Sequence, residues 1–310
     1  MMKKTKSMLL LLAVALLIAC GGTTRVVPVT GRTQKVYANN SELLTSSLSA
    51  YKGYVSSDKL SSNATNTAMV KRVGQRLASA VETYLRNNGY AEEVKNYNWE
   101  FNLVKENQVN AFCMPGGKIV VYEGLLPVTQ TEAALAIVLG HEIAHAVAYH
   151  SSEQYQSQVN QQTMGQFAGA ILSSTGIAAN TTATSIISSL YGLGTQAATL
   201  KYSRNHETEA DHIGLIFAAM AGYDPNEALT FWSRMAASSN NTTPTWLSTH
   251  PSDEQRIANI RKLLPEAMKY YNATKASTST STSKSSKSKT KTSTKGKATT
   301  KKTTGTFYVK

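Results

Sequence analysis

From Thr67 to Leu85 the apolar residues Met69, Val70, Val73, Leu77, Val81, Tyr84 and Leu85 recur at mostly helical spacing, which predicts a helix ending before Asn87-Asn88-Gly89. Tyr97, Trp99, Phe101 and Leu103 then alternate with Asn98, Glu100 and Asn102, the pattern of a strand with one buried face. Met114-Pro115-Gly116-Gly117 forces a turn, and the β-branched run Lys118 to Tyr122 reads as a second strand of the same small sheet. Between Thr131 and about Ser151 the pattern is helical and almost uncharged apart from Glu132 and Glu142, as expected of a helix buried on most of its circumference. A further helix holds Glu207 to Met220 and stops at Gly222, and Asp224-Pro225-Asn226-Glu227 supplies the N-cap, N1 proline and N3 glutamate of the next.

The flanking segments lack this periodicity. Lys3, Lys4 and Lys6 precede an uncharged apolar run from Ser7 to Ala19, the layout of a secretory signal. It is too short to span a bilayer as a helix, which takes roughly 20 residues. The run ends Leu17-Ile18-Ala19-Cys20-Gly21-Gly22 and resembles a bacterial lipobox. That resemblance implies a signal peptide over 1–19, a lipidated Cys20 and anchorage in the cell envelope; Gly21 in place of Asp favours the outer membrane of a Gram-negative cell, facing the periplasm. Polar residues 20–60 read as a leader onto a domain spanning 61–272. Residues 154–200 hold no charge and read as a helix pair or lid over the core, or as a hairpin touching the membrane. From Lys275 only Lys, Ser, Thr, Ala and Gly occur until Phe307, so 273–310 reads as a disordered tail.

Charge and cysteine usage narrow the functional classes. The formal charge of the 310-residue chain is +13, and three lysines among the first six residues together with ten from Lys275 onward account for all of it. The intervening segment is neutral, which excludes a basic nucleic-acid-binding domain, while the tail suits anionic envelope polymers. Two cysteines, Cys20 and Cys113, cannot build a disulfide framework or a Cys-rich zinc module, and with Cys20 acylated Cys113 reads as a buried thiol.

Residues 141–145 read His-Glu-Ile-Ala-His. Histidines at i and i+4 share a helical face, so His141 and His145 read either as ligands of one zinc ion, with Glu142 beside them facing a water, or as a pair of satisfied core histidines. A catalytic zinc needs a third protein ligand and an open position. Ala148 and Ser151 stand where a metzincin would carry glycine and histidine, and His150, five residues past His145, points away from the ligand face of a continuous helix. Glu207 and Asp211 share a face of the second helix, so Glu207 can ligate while Asp211 hydrogen-bonds a ligating imidazole or lines the cleft; Glu209 points elsewhere. The alternative for this acidic cluster is a solvated face.

The His-Glu-x-x-His motif is followed about sixty residues on by Glu207-x-Glu209-Ala210-Asp211. Asn110-Ala111-Phe112 and Pro115-Gly116-Gly117-Lys118-Ile119 precede it, and Thr249-His250-Pro251-Ser252 closes the set. Together these resemble metallopeptidase family forty-eight, which includes HtpX-like and CAAX prenyl protease 1-like enzymes, over roughly residues 60–270. The resemblance implies an α+β, mainly helical, zincin-like (gluzincin) domain with one zinc ion per chain held by His141, His145 and Glu207. It places the general base at Glu142, the second acid at Asp211, and at His250 a histidine near the metal that either stabilises the oxyanion or occupies the open zinc position at rest. It further implies that Lys118 to Tyr122 is an edge strand pairing with extended or unfolded polypeptide substrates. The multiple transmembrane helices of some members are missing, so prenylated substrates are not implied. A chaperone-like outer-membrane assembly lipoprotein with a structural zinc is the alternative, disfavoured by the intact Glu142.

Overall fold

The computed structural model describes residues 22–37, 40–56, 58–160, 202–238, 246–247, 250 and 254–289, with side chains beyond 277 excepted. The signal segment, most of the uncharged 154–200 stretch and the end of the tail therefore lie outside the described residues.

A three-stranded sheet forms the middle layer, built from β3 (Glu100–Val104), β4 (Ala111–Met114) and β5 (Lys118–Tyr122) in the order β3-β5-β4. β5 runs parallel to β3, with Glu100 opposite Lys118, and antiparallel to β4, with Cys113 opposite Ile119. It is thus the central strand, which corrects the expectation of an edge strand at Lys118–Tyr122; the edges are β3 and β4. Alternation explains the apolar run. Ile119 and Val121, with Ala111, Cys113, Phe101 and Leu103, face one core, whereas Val120 and Tyr122, with Phe112 and Met114, face a second. A strand buried on both faces has no polar side to show.

The first core is closed by α2 (Ala64–Asn87) and α3 (Glu132–Val147), and the second by α1 (Asn40–Tyr54), whose Leu43, Tyr51 and Tyr54 are buried. Ahead of α1, β1 (Thr23–Val26) and β2 (Thr33–Val36) pair as an antiparallel hairpin. The stretch expected as a leader is thus largely packed structure: α1 buries apolar residues in the second core, while the hairpin is held to the body by hydrogen bonds and ion pairs, which leave no apolar periodicity in the sequence. After α3 the chain turns through Ala148 and Tyr149 into α4 (residues 150–160). Among the described residues that follow are the helices α5 (Arg204–Met220), α6 (Glu227–Ser238) and α7 (Glu254–Lys289). α7 passes Thr274, where composition predicts structure to end. A helix nucleated by packed residues such as Ile260, Leu264 and Tyr271 adds one backbone bond per further residue. No helix among the described residues is long and apolar enough to cross a membrane.

α5 crosses α3 at two glycines. A Cβ on Gly214 would lie 2.7 Å from the His141 amide nitrogen, and one on Gly140 would lie 2.8 Å from the Gly214 carbonyl oxygen. The helices therefore touch backbone to backbone immediately beside His141. Gly214→Ala is expected to destabilise the fold, because forcing the helices apart costs about 1–3 kcal/mol against a gain of up to about 1 kcal/mol in helix propensity. Urea unfolding measures the difference; a variant more stable than the parent would contradict the close crossing.

Candidate metal centre

Both site helices start on side-chain caps: Thr131 Oγ1 accepts from the Ala134 amide at 3.0 Å, and Ser203 Oγ from the His206 amide at 3.2 Å. Every residue of α3 from Ala134 to Val147 is buried, and α5 buries Glu207, Glu209 and Asp211 beside its apolar run. Three residue types expected at a metal thus sit in the dry crossing of two helices.

His141 Nε2 and His145 Nε2 face each other at 3.0 Å, and His250 Nδ1 lies 3.2 Å from His141 Nε2. Glu207 Oε1 is 3.0 Å from His250 Nδ1 and 3.5 Å from His145 Nε2. These four buried side chains offer donor atoms all within 4.8 Å of one another. Glu142 stands beside the group without belonging to it: its Oε1 accepts from Trp246 Nε1 at 2.7 Å and is 3.5 Å from His250 Nε2.

The outward ring nitrogens decide which way the inner lone pairs point. Asp211 Oδ1 lies 2.9 Å from His141 Nδ1. A carboxylate only accepts, so that nitrogen carries a proton, and Nε2 is the ring atom left to hold a metal ion. His145 Nδ1 meets His150 Nδ1 at 2.8 Å, and His150 Nε2 meets Glu209 Oε2 at 2.9 Å. His150 was expected to point away from the ligand face, and Glu209 to point elsewhere. α3, however, ends at Val147, and Tyr149 adopts a left-handed φ of 55°, which swings His150 back beneath His145. Glu209 indeed faces away from the cluster, yet it holds the histidine that orients a member of it.

Charge is arranged to match. Burial disfavours a cation at His141, but the hydrogen bonds it donates to Asp211 and Glu207 outweigh it and raise its pKa to about 9. Burial holds His145 well below the ordinary histidine value and takes His150 down to about 4. Glu207 and Asp211 stay ionised despite burial, with His250 and Arg256 lowering the first and Arg256 the second. Arg256 donates from Nη1 to Glu207 Oε2 at 2.7 Å, and from Nη2 and Nε to Asp211 Oδ1 and Oδ2 at 2.8 Å each. It holds one oxygen of Glu207 and leaves Oε1 to the histidines. Sequence reasoning missed Arg256, Trp246, His150 and Tyr202, whose ring stacks on His145 at 3.8 Å. The one available signal was position: Trp246 and Arg256 flank His250, and Tyr202 precedes the Glu207 motif.

Imidazole Nε2 atoms aimed inward, their outer nitrogens held by Asp211 and by His150, form with one carboxylate oxygen the nitrogen and oxygen set that zinc takes. The residues present fit that ion.

Residues 65–264 match Peptidase family M48. The chain is 39% identical over 171 residues to mitochondrial metalloendopeptidase OMA1 of Schizosaccharomyces pombe, covering 54% of this chain and 48% of that protein. It is 32% identical over 188 residues to mitochondrial metalloendopeptidase OMA1 of Saccharomyces cerevisiae, covering 58% and 51%. Against a putative beta-barrel assembly-enhancing protease of Vibrio cholerae the identity is 32% over 166 residues, covering 52% and 34%. The chain thus spans about half the length, or less, of these relatives.

Proposed function

Because the chain belongs to Peptidase family M48, a family of zinc-dependent metallopeptidases, we propose that it is a metalloendopeptidase cleaving unfolded or misassembled polypeptides of the cell envelope. The observation that carries this reading is Glu142: a carboxylate adjoining the donor cluster, outside it, and fixed by Trp246. A purely structural metal site has no use for such a base.

In this reading His141, His145 and Glu207 hold zinc, with residues 61–272 and the docked hairpin as the catalytic unit. Zinc supplies Lewis acidity toward a peptide carbonyl and eases deprotonation of water. Glu142 takes the proton of the attacking water on its free carboxylate oxygen and passes it to the leaving amine. Asp211 fixes the His141 tautomer and does not touch substrate. His250, whose Nδ1 lies within the donor set, is the side chain at hand to occupy the open zinc position at rest or to stabilise the oxyanion.

The described conformation is closed. His141, Glu142, His145, Glu207 and His250 are 4% exposed or less, and all four residues of β4 are buried. An extended substrate pairing with β4 therefore needs the site to open first. Anchoring through a lipidated Cys20 at the outer membrane, facing the periplasm, and contact of the Lys-rich tail with anionic polymers complete the proposal; they rest on sequence alone.

The four-donor set also suits a structural zinc in a non-cleaving chaperone, and one assay separates the two. Protein stripped with phenanthroline is expected to lose cleavage of an unfolded casein and regain it with one equivalent of zinc. Zinc uptake without cleavage at any stage would favour the chaperone, and cleavage by the metal-free protein would overturn both.

A further inference from the structure

The hairpin of β1 and β2 lies outside the family-matched residues, yet it grips both site helices. On α3 it covers the C-terminal carbonyls: Arg25 Nη2 donates to Val147 O at 2.9 Å and Gln34 Nε2 to Ala148 O at 2.7 Å. A helix end leaves such carbonyls without internal partners and favours a nearby cation. On α5 the loop between the strands reaches Glu209. Thr30 Oγ1 donates to Oε1 at 2.5 Å and Arg32 Nε to Oε2 at 2.8 Å, while the Arg32 nitrogens Nη1 and Nη2 bridge to Glu153 at 3.2 and 3.0 Å. Immediately before Thr30, Val29, a β-branched residue, is held at a left-handed φ of 72°. Such a conformation persists only where its surroundings over-determine it.

Resting on the metal-site reading above, we propose that this hairpin is a built-in positioning element for the zinc ligand His145, acting through Arg32 and Thr30 on Glu209, Glu209 on His150, and His150 on His145. The direction of every bond in the chain follows from its ends. Arg32 and Thr30 donate to Glu209, so its carboxylate is tied down and accepts from His150 Nε2–H. A His150 protonated at Nε2 offers Nδ1 as an acceptor, and the hydrogen facing it is that of His145 Nδ1. His145 is thereby left with its lone pair at Nε2, the atom that faces His141 and Glu207. His141 gets the same orientation from Asp211 in one step. His145, with no carboxylate of its own, gets it in two, and the second depends on a hairpin at the far end of the chain. Glu209 at 8% exposure and His150 at 0% exchange these bonds with little competition from water.

The test is zinc affinity, measured by competition with a chromophoric chelator, together with the visible spectrum of the cobalt-substituted protein. Disturbing a partner of a metal-bound histidine typically weakens metal binding about 10–100-fold. Glu209→Gln and Arg32→Ala are each expected to raise the zinc Kd within that range and to change the cobalt spectrum, with Arg32→Lys restoring part of the loss. The double variant should lose little more than Glu209→Gln alone, because both act along one chain. Arg72→Ala, which removes an exposed ion pair between α2 and α3 and touches no member of this chain of bonds, is expected to leave the zinc Kd and the cobalt spectrum unchanged. Unaltered zinc Kd in folded Glu209→Gln and Arg32→Ala proteins would overturn the proposal, as would an equal spectral change in Arg72→Ala. Wild-type protein that takes up no zinc would instead overturn the metal-site reading beneath it.

Discussion

Glu142→Gln is expected to keep its zinc and its fold and to lose cleavage of an unfolded substrate by about 10²–10⁴-fold, the range a positioned general acid–base supplies. The side chain is isosteric and buried, and its carboxylate is not among the converging donors, so neither packing nor metal uptake needs the charge. The amide oxygen can still accept from Trp246 Nε1, which keeps the 2.7 Å contact in place. What disappears is the proton acceptor. Metal analysis, circular dichroism and turnover on one preparation read the three quantities separately. Activity equal to wild type would remove Glu142 from the mechanism, and loss of zinc would move it into the ligand set.

The largest expected stability effect belongs to Arg256. Its guanidinium, 6% exposed, neutralises two buried carboxylates, Glu207 and Asp211, and lies 3.8 Å over the ring of Trp232. Arg256→Ala leaves both carboxylates without that cation, and removing one partner of a buried ion pair costs about 3–5 kcal/mol. The loss should be larger in zinc-free protein, since a bound cation at Glu207 takes over part of the compensation while Asp211 keeps only His141. Paired urea titrations with and without zinc test this. Equal losses in the two forms would show that Arg256 does not share Glu207 with the metal position, and no loss in either would show that it is not part of the site's charge balance.

The α+β, mainly helical class and the two helices of the site were legible because burial writes a 3.6-residue period into α2 and an almost uncharged run into α3 and the end of α5. The phase of Glu207 against Asp211 followed from the same period, and the structure brings both to His141. His150 was lost to that same rule: applied past Val147 it turns the ring away, and nothing in the string Ala148-Tyr149-His150 announces a left-handed tyrosine. β5 was misplaced for a different reason, since five consecutive buried residues already describe a central strand, and only the family resemblance suggested an edge. Arg256 looks like any arginine on an amphipathic helix until the fold places two buried acids within reach of it. The hairpin was hidden because Arg25, Thr30, Arg32 and Gln34 bind by hydrogen bonds, and polar contacts leave no repeating pattern in a sequence.

The docked hairpin also sets a working distance. A flexible leader of 40 residues would let the catalytic body wander to a root-mean-square distance of about 35 Å from its anchor. With the chain captured from Thr23 onward, only three residue steps separate the body from the proposed acylation site at Cys20, a leash of about 11 Å fully stretched. Were Cys20 acylated as proposed, so short a leash would hold the catalytic body flush against the lipid surface, within reach of chains at the bilayer before those free in solution.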